Sequence, residues 1–177
     1  LHHIILRGIE RRLIFRDDYD RDQFLQRLEN TLTETETPCY AWALMPNHVH
    51  LLLKTGLIPI ATIMRRLLTG YAVSFNRRHH RSGHLFQNRY KSILCQEGPY
   101  FRELVRYIHL NPLRAKLVPE LMVLEEYPYS GHSAIVGKVR RDWQQVDYVL
   151  GFFGKKRSAA RKAYRQFLKR GALQGKR

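Results

Sequence analysis

Apolar residues recur along this chain at two different periods, and each period assigns an element. Phe24, Leu25, Leu28 and Leu32 fall on one face of a helix over Asp20–Thr33, with acidic residues near its N-terminus where the helix dipole favours them. Ile60, Ile63, Met64, Leu67, Leu68, Tyr71, Ala72 and Phe75 predict a second helix over residues 60–79. Cys39–Leu44 and His48–Thr55 alternate as strands, and Met45-Pro46-Asn47 between them reads as the turn of an antiparallel hairpin in the middle of a sheet. His3–Arg7 and Leu13–Phe15 read as short strands around a turn at Gly8, and Tyr90–Gln96 as a further strand. Phe101, Leu104, Val105 and Ile108 then mark a short amphipathic helix. Strand, helix, two strands, helix, strand is the order of an α+β ferredoxin-like sandwich with a central antiparallel sheet. Near the C-terminus, Ala159, Ala160, Ala163, Tyr164, Phe167 and Leu168 share a stripe of a helix from Ser158 to Lys169. The chain divides into a main domain over 1–118, a connecting segment over 119–154 packed on it, and a basic helical appendage over 155–177.

Charge narrows the partners. The 177 residues hold 31 Lys and Arg against 15 Asp and Glu, a formal net charge of +16, which favours a polyanion. No apolar run approaches the ~20 residues of a membrane-spanning helix, and no secretory signal is visible. Cys39 and Cys95 lack metal-ligand spacing and read as reduced, buried and cytoplasmic. The charge is also segregated. Residues 17–36 are rich in acid, whereas Thr37 to Gln96 contains no Asp or Glu at all. An acid-free interval of this kind suits a surface crossed by phosphates.

The chemistry sits inside and just beyond that interval. His48 and His50 flank one apolar residue on a strand, so both imidazoles leave the same face, about 6–7 Å apart along the chain. Two such rings could share a metal ion or be a structural pair. A second constellation favours the ion: at 100° per residue, Tyr107 and Asn111 lie one turn apart at the edge of the apolar stripe of their helix. Pro112 predicts that this helix stops there. His109 points elsewhere.

Leu44 to Leu52, with His48-Val49-His50 at its centre, resembles the HUH motif (histidine, bulky apolar residue, histidine) of single-tyrosine transposases. Gly83 to Lys91 and Tyr107 to Ala115 are similar to signatures of the REP-associated tyrosine transposases, which act on hairpins formed by repetitive extragenic palindromes. Ile9, after Arg7-Gly8, stands where this resemblance leads one to expect a polar residue. The resemblance spans roughly Ile4 to Phe153. It implies a metal-dependent single-strand endonuclease and strand transferase, with the catalytic domain over 1–118. It further implies that His48, His50 and Asn111 hold a divalent ion, Mg²⁺ or Mn²⁺, and that Tyr107 is the nucleophile of a 5′-phosphotyrosine intermediate. The implied setting is a bacterial cytoplasm and nucleoid, with a monomer expected and a dimer as the alternative. A non-catalytic nucleic-acid binder on the same frame is the competing reading; it would tolerate loss of Tyr107.

Candidate contacts to single-stranded or hairpin DNA follow from charge. Arg65, Arg66, Arg77, Arg78, Arg81 and Arg89 read as a phosphate-binding cluster, with Lys91 in the same interval. Arg7 is a candidate contact close to the cleavage site. His84 could touch a phosphate near the metal or serve as a loop histidine. Lys155, Lys156, Arg157, Arg161 and Lys162 head a terminal segment (155–177) with ten basic residues and no acid, which could grip hairpin backbone. Tyr40, Trp42, Tyr71 and Phe75 could stack on bases, but their spacing favours the core.

Overall fold

Strand β1 (His2–Arg7) pairs antiparallel with β3 (His48–Leu53) on one side and β4 (Lys91–Leu94) on the other. With β2 (Cys39–Met45) beside β3, the computed structural model, which describes residues 1–174, holds one four-stranded sheet in the order β2-β3-β1-β4. Together with α1 (Asp18–Glu34) and α2 (Ile60–Arg78), this is the expected ferredoxin-like α+β arrangement.

The period of two divides the sheet into faces. Ile4, Leu6, Trp42, Leu44, Val49, Leu51 and Leu53 pack against Phe24, Leu28, Ile63, Met64, Leu67 and Tyr71 of α1 and α2. The opposite face carries Ala41, Ala43 and Leu52, which pack against Phe101, Val105 and Ile108 of α3 (Pro99–Arg114). The small side chains of Ala41 and Ala43, both wholly buried, allow α3 to settle closely over β2. Gly98 turns into α3 at φ 129°, a region that favours glycine, and Pro99 starts the helix where a missing N–H is harmless.

Several features differ from the sequence expectation. Cys39 is buried, but Cys95, just past the exposed edge strand β4, is only partly so. Leu13–Phe15 is not a strand: a 3-10 turn over Ile9–Arg11, with Glu10 and Arg11 at positive φ, breaks the alternation, although Ile14 and Phe15 still reach the core. The β2–β3 hairpin is not in the middle of the sheet; β2 is the last strand. Its outer edge is covered by the connecting segment, for which the sequence pattern assigned no element. Ala43 bridges Ser130, Leu44 N donates to the Tyr129 carbonyl at 2.9 Å, and Gln145 N donates to the Cys39 carbonyl at 2.9 Å. Covering a strand edge this way prevents pairing with another chain. The same segment forms α4 (Leu121–Glu126), α5 (Gly131–Ile135) and α6 (Val146–Gly151). Helix α3 also runs through Pro112 to Arg114, because the proline lies in the last turn. There it removes a single N–H, and Ala115 N still reaches the Asn111 carbonyl at 2.9 Å.

The basic terminal helix α7 (Arg157–Gln174) starts near the expected place and runs further. Tyr164, Phe167 and Leu168 are buried beside α3, each burial contributing about 1.5–3 kcal/mol. Helix α7 is thus docked on the main domain through its apolar stripe. Residues 175–177 of the expected basic tail lie outside the described residues. No helix among the described residues is long and apolar enough to cross a membrane.

Candidate active site

The face of the sheet under α3 carries three imidazoles. His48 and His50 alternate with buried Val49 and Leu51 on β3, and their ring centroids are 5.1 Å apart. On β1, His3 and Arg7 face the same way, since Arg7 pairs with His48 and Ile5 pairs with His50. His3 is thus diagonal to His50, within reach of a long side chain. Its Nε2 lies 2.9 Å from His50 Nδ1, and the two rings stack at 5.2 Å.

From above, α3 lays Tyr107 across this group. The phenol ring stands edge-on to His50 at 5.9 Å and to His3 at 6.0 Å. Tyr107 remains 44% exposed, open to a large substrate, and the Arg114 guanidinium sits 5.8 Å from its ring centre. One turn on, Asn111 Nδ2 donates to the Tyr107 carbonyl at 3.0 Å, which leaves its Oδ1 free to act as an acceptor. The two sequence constellations, strand and helix, therefore meet. His109 is fully buried and turned away, its Nδ1 2.7 Å from the Tyr164 hydroxyl.

Burial disfavours the protonated form of all three imidazoles. Burial lowers His50 to about 3, and protonation of His3 or His48, or the charge of Arg7, would lower it further. Burial, then Arg7, lowers His48; burial, then Lys91, lowers His3. Neutral rings keep a lone pair for an ion. His48 Nδ1 is 2.7 Å from Asn47 Oδ1, so its N–H donates there and Nε2 carries the lone pair. Asn47 is anchored in turn, donating from Nδ2 to the Arg11 carbonyl at 3.2 Å.

Sequence reasoning missed His3. Its alternation on β1 was visible, but only the β1–β3 register brings it to His50.

The candidate DNA contacts separate into groups. Arg7 and Lys91 lie on the histidine face, Lys91 directly across Ile5 from His50. Arg65, Arg66, Arg77 and Arg78 belong to α2, on the opposite face. Arg65 and Arg89 line one cleft of about 680 Å³ with Thr62, Asn88 and Tyr90. Arg78 is committed elsewhere, donating to Asp17 and to buried Asp20 at 2.7 Å each. Arg81 holds its own loop, donating to Asn76 Oδ1 at 3.0 Å and to the His84 carbonyl at 2.7 Å; His84 itself is exposed. Arg66 is 4.0 Å from Glu34, Arg157 pairs with Asp147, and Arg161 donates to the Ile135 carbonyl. Among the described residues, Arg7, Arg65, Arg77, Arg89, Lys91, Lys155, Lys156 and Lys162 make no ion pair. The candidate stacking aromatics Tyr40, Trp42, Tyr71 and Phe75 are all buried in the core.

Comparison with known proteins adds three findings. Residues 1–111 match the family model described as IS200-like transposase. Among solved structures, a REP-associated tyrosine transposase bound to a REP hairpin matches at 14% identity and TM-score 0.61, covering 81% of this chain and 90% of that one. A protein described as a transposase from Deinococcus radiodurans R1 matches at 22% identity and TM-score 0.45, covering 60% of this chain and 85% of that one. No curated protein matches the chain.

Proposed function

The chain belongs to the IS200-like transposase family and is a DNA-processing tyrosine transposase of the HUH type; from that premise we propose that it cleaves single-stranded DNA beside a hairpin through Tyr107. The observation that carries this reading is the Tyr107 ring lying 5.9 Å from His50 and belonging to the same chain. Action as a monomer is part of the same proposal. The hairpin substrate follows the fold's likeness to the REP-associated transposase, whose bound ligand is a REP hairpin.

His48 Nε2, His50 Nε2 and Asn111 Oδ1 would hold the divalent ion. Among the described residues no group of three His, Cys, Asp or Glu side chains could bind a metal, so the shell would be completed by the amide and by substrate phosphate oxygens. Neutral nitrogen and oxygen donors, with phosphate, fit Mg²⁺ or Mn²⁺. When bound, the ion would supply charge neutralisation at the non-bridging oxygens.

The chain's own groups do the rest. Tyr107 loses its phenolic proton as Oη forms a bond to the scissile phosphorus and the phosphorus–O3′ bond breaks; the 3′-oxygen gains one proton and leaves as a free hydroxyl, so protons balance. The ester is conserved as a 5′-phosphotyrosine, so the break can be resealed or transferred without a nucleotide cofactor. Arg114 places positive charge beside the Tyr107 ring, and Arg7 places it beside His48. The proposed DNA path uses the uncommitted cations of the histidine face and of the Arg65–Arg89 cleft, with Lys155 and Lys156 just before α7 and Lys162 on it. The cations engaged within the protein contribute less. The test is incubation of hairpin-flanked single-stranded DNA with Mn²⁺, read on a denaturing gel. A protein-linked product is expected with wild type and none with Tyr107→Phe; equal product from both would contradict the proposal.

A further inference from the structure

His3 belongs to none of the motifs, yet it is the most intimate neighbour of the site. It is 5% exposed, stacks on His50 at 5.2 Å and stands edge-on to Tyr107 at 6.0 Å. Among the described residues, its one side-chain hydrogen bond joins Nε2 to His50 Nδ1 at 2.9 Å. Two neutral imidazoles in such a pair share one proton between the facing nitrogens, and the direction of that bond decides what the far nitrogen of His50 can do. If His3 donates, His50 must carry its own proton on Nε2, the atom that would have to bind an ion. If His50 donates, its Nε2 lone pair is free.

We infer that His3 is a positioning residue which accepts the Nδ1–H of His50 and so holds His50 in the tautomer whose Nε2 can ligate the divalent ion. This rests on the reading of His48 and His50 as the metal pair. His48 shows the same logic with a different partner, its Nδ1 facing Asn47 Oδ1 at 2.7 Å. Outer partners that fix a ligand imidazole typically account for 10–100-fold in metal affinity. His3 is not itself a third ligand of that ion: its Nε2 is engaged by His50, and the described residues hold no three-member His/Cys/Asp/Glu metal group. A proton on His3 Nδ1 completes the arrangement. His3 also floors the Tyr107 ring, so ring packing and tautomer control must be separated.

Substitution does that. His3→Phe keeps a ring against Tyr107 and removes the acceptor; His3→Gln returns an amide oxygen near the position of Nε2. Mn²⁺ titration of the full chain, without DNA, is expected to show His3→Phe weakened by about 10–100-fold and His3→Gln recovering most of the loss. Metal-free binding of hairpin DNA should stay unchanged in both variants. A long-range imidazole ¹H–¹⁵N spectrum of the metal-free wild type should find the His50 proton on Nδ1. That measurement needs no variant, and a proton on Nε2 would overturn the inference. So would wild-type Mn²⁺ affinity in His3→Phe when His48→Ala has lost it. If His48→Ala binds Mn²⁺ as well as wild type, the metal reading itself falls, and this inference with it.

Discussion

Single residues in this chain differ in how far their placement can be read locally. His48 and His50 were legible because a strand's period of two places them on one face whatever they pack against. Tyr107 and Asn111 were legible for the matching helical reason. His3 and Arg78 were not: one depends on the β1–β3 register, the other on Asp17 and Asp20, about sixty residues away along the chain. Gly8 is a further case. A Cβ there would lie 2.1 Å from the Arg12 carbonyl oxygen, a backbone atom that cannot step aside cheaply. The turn after β1 also carries Gly8 N to the Asn47 carbonyl at 2.8 Å, next to His48. Gly8→Ala is therefore expected to destabilise the fold by about 1–3 kcal/mol, measurable by urea unfolding.

At the scale of elements, the site depends on how α3 lies over the sheet. Its apolar stripe was clear from spacing, but its seat over Ala41 and Ala43 of β2 was not, because small residues give no periodic signal of what will cover them. Helix α7 then secures α3 from the outside. Arg106 Nη1 donates to the Phe167 carbonyl at 3.2 Å, its guanidinium covers the Phe167 ring at 4.1 Å, and Tyr164 bonds His109. A helix held on both sides presents Tyr107 to the histidines of its own chain. Mixing Tyr107→Phe protein with His48→Ala protein is accordingly expected to leave cleavage at background. Recovery of activity in the mixture would mean that the helix serves a second protomer.

For the molecule as a whole, composition announced a polyanionic partner but not where it lies. The acid-free interval, continuous in sequence, is divided by the sheet into two faces. The connecting segment resisted reading for a similar reason: its short helices gain their stability by covering β2 and contacting α7, and they carry little pattern of their own. That packing has a consequence for acid stability. Burial, with the charge of Arg165 adding, lowers His132 of α5 to about 3, against 6.5 for a free histidine, while its Nδ1 lies 3.1 Å from the Tyr164 hydroxyl. Below pH 6.5 the unfolded chain takes up a proton that the folded chain refuses. Stability is therefore full above that pH and falls as pH drops towards 3, by about 1.4 kcal/mol per unit for this one group. Thermal melting between pH 7.5 and 4.5 should show the decline. The central claim, that one chain brings its tyrosine and paired histidines together for strand cleavage, is tested most directly by mapping the covalent product. Peptide mass spectrometry of wild-type protein trapped on hairpin DNA with Mn²⁺ should find the 5′-phosphodeoxynucleotide on Tyr107; attachment at any other residue would contradict the account.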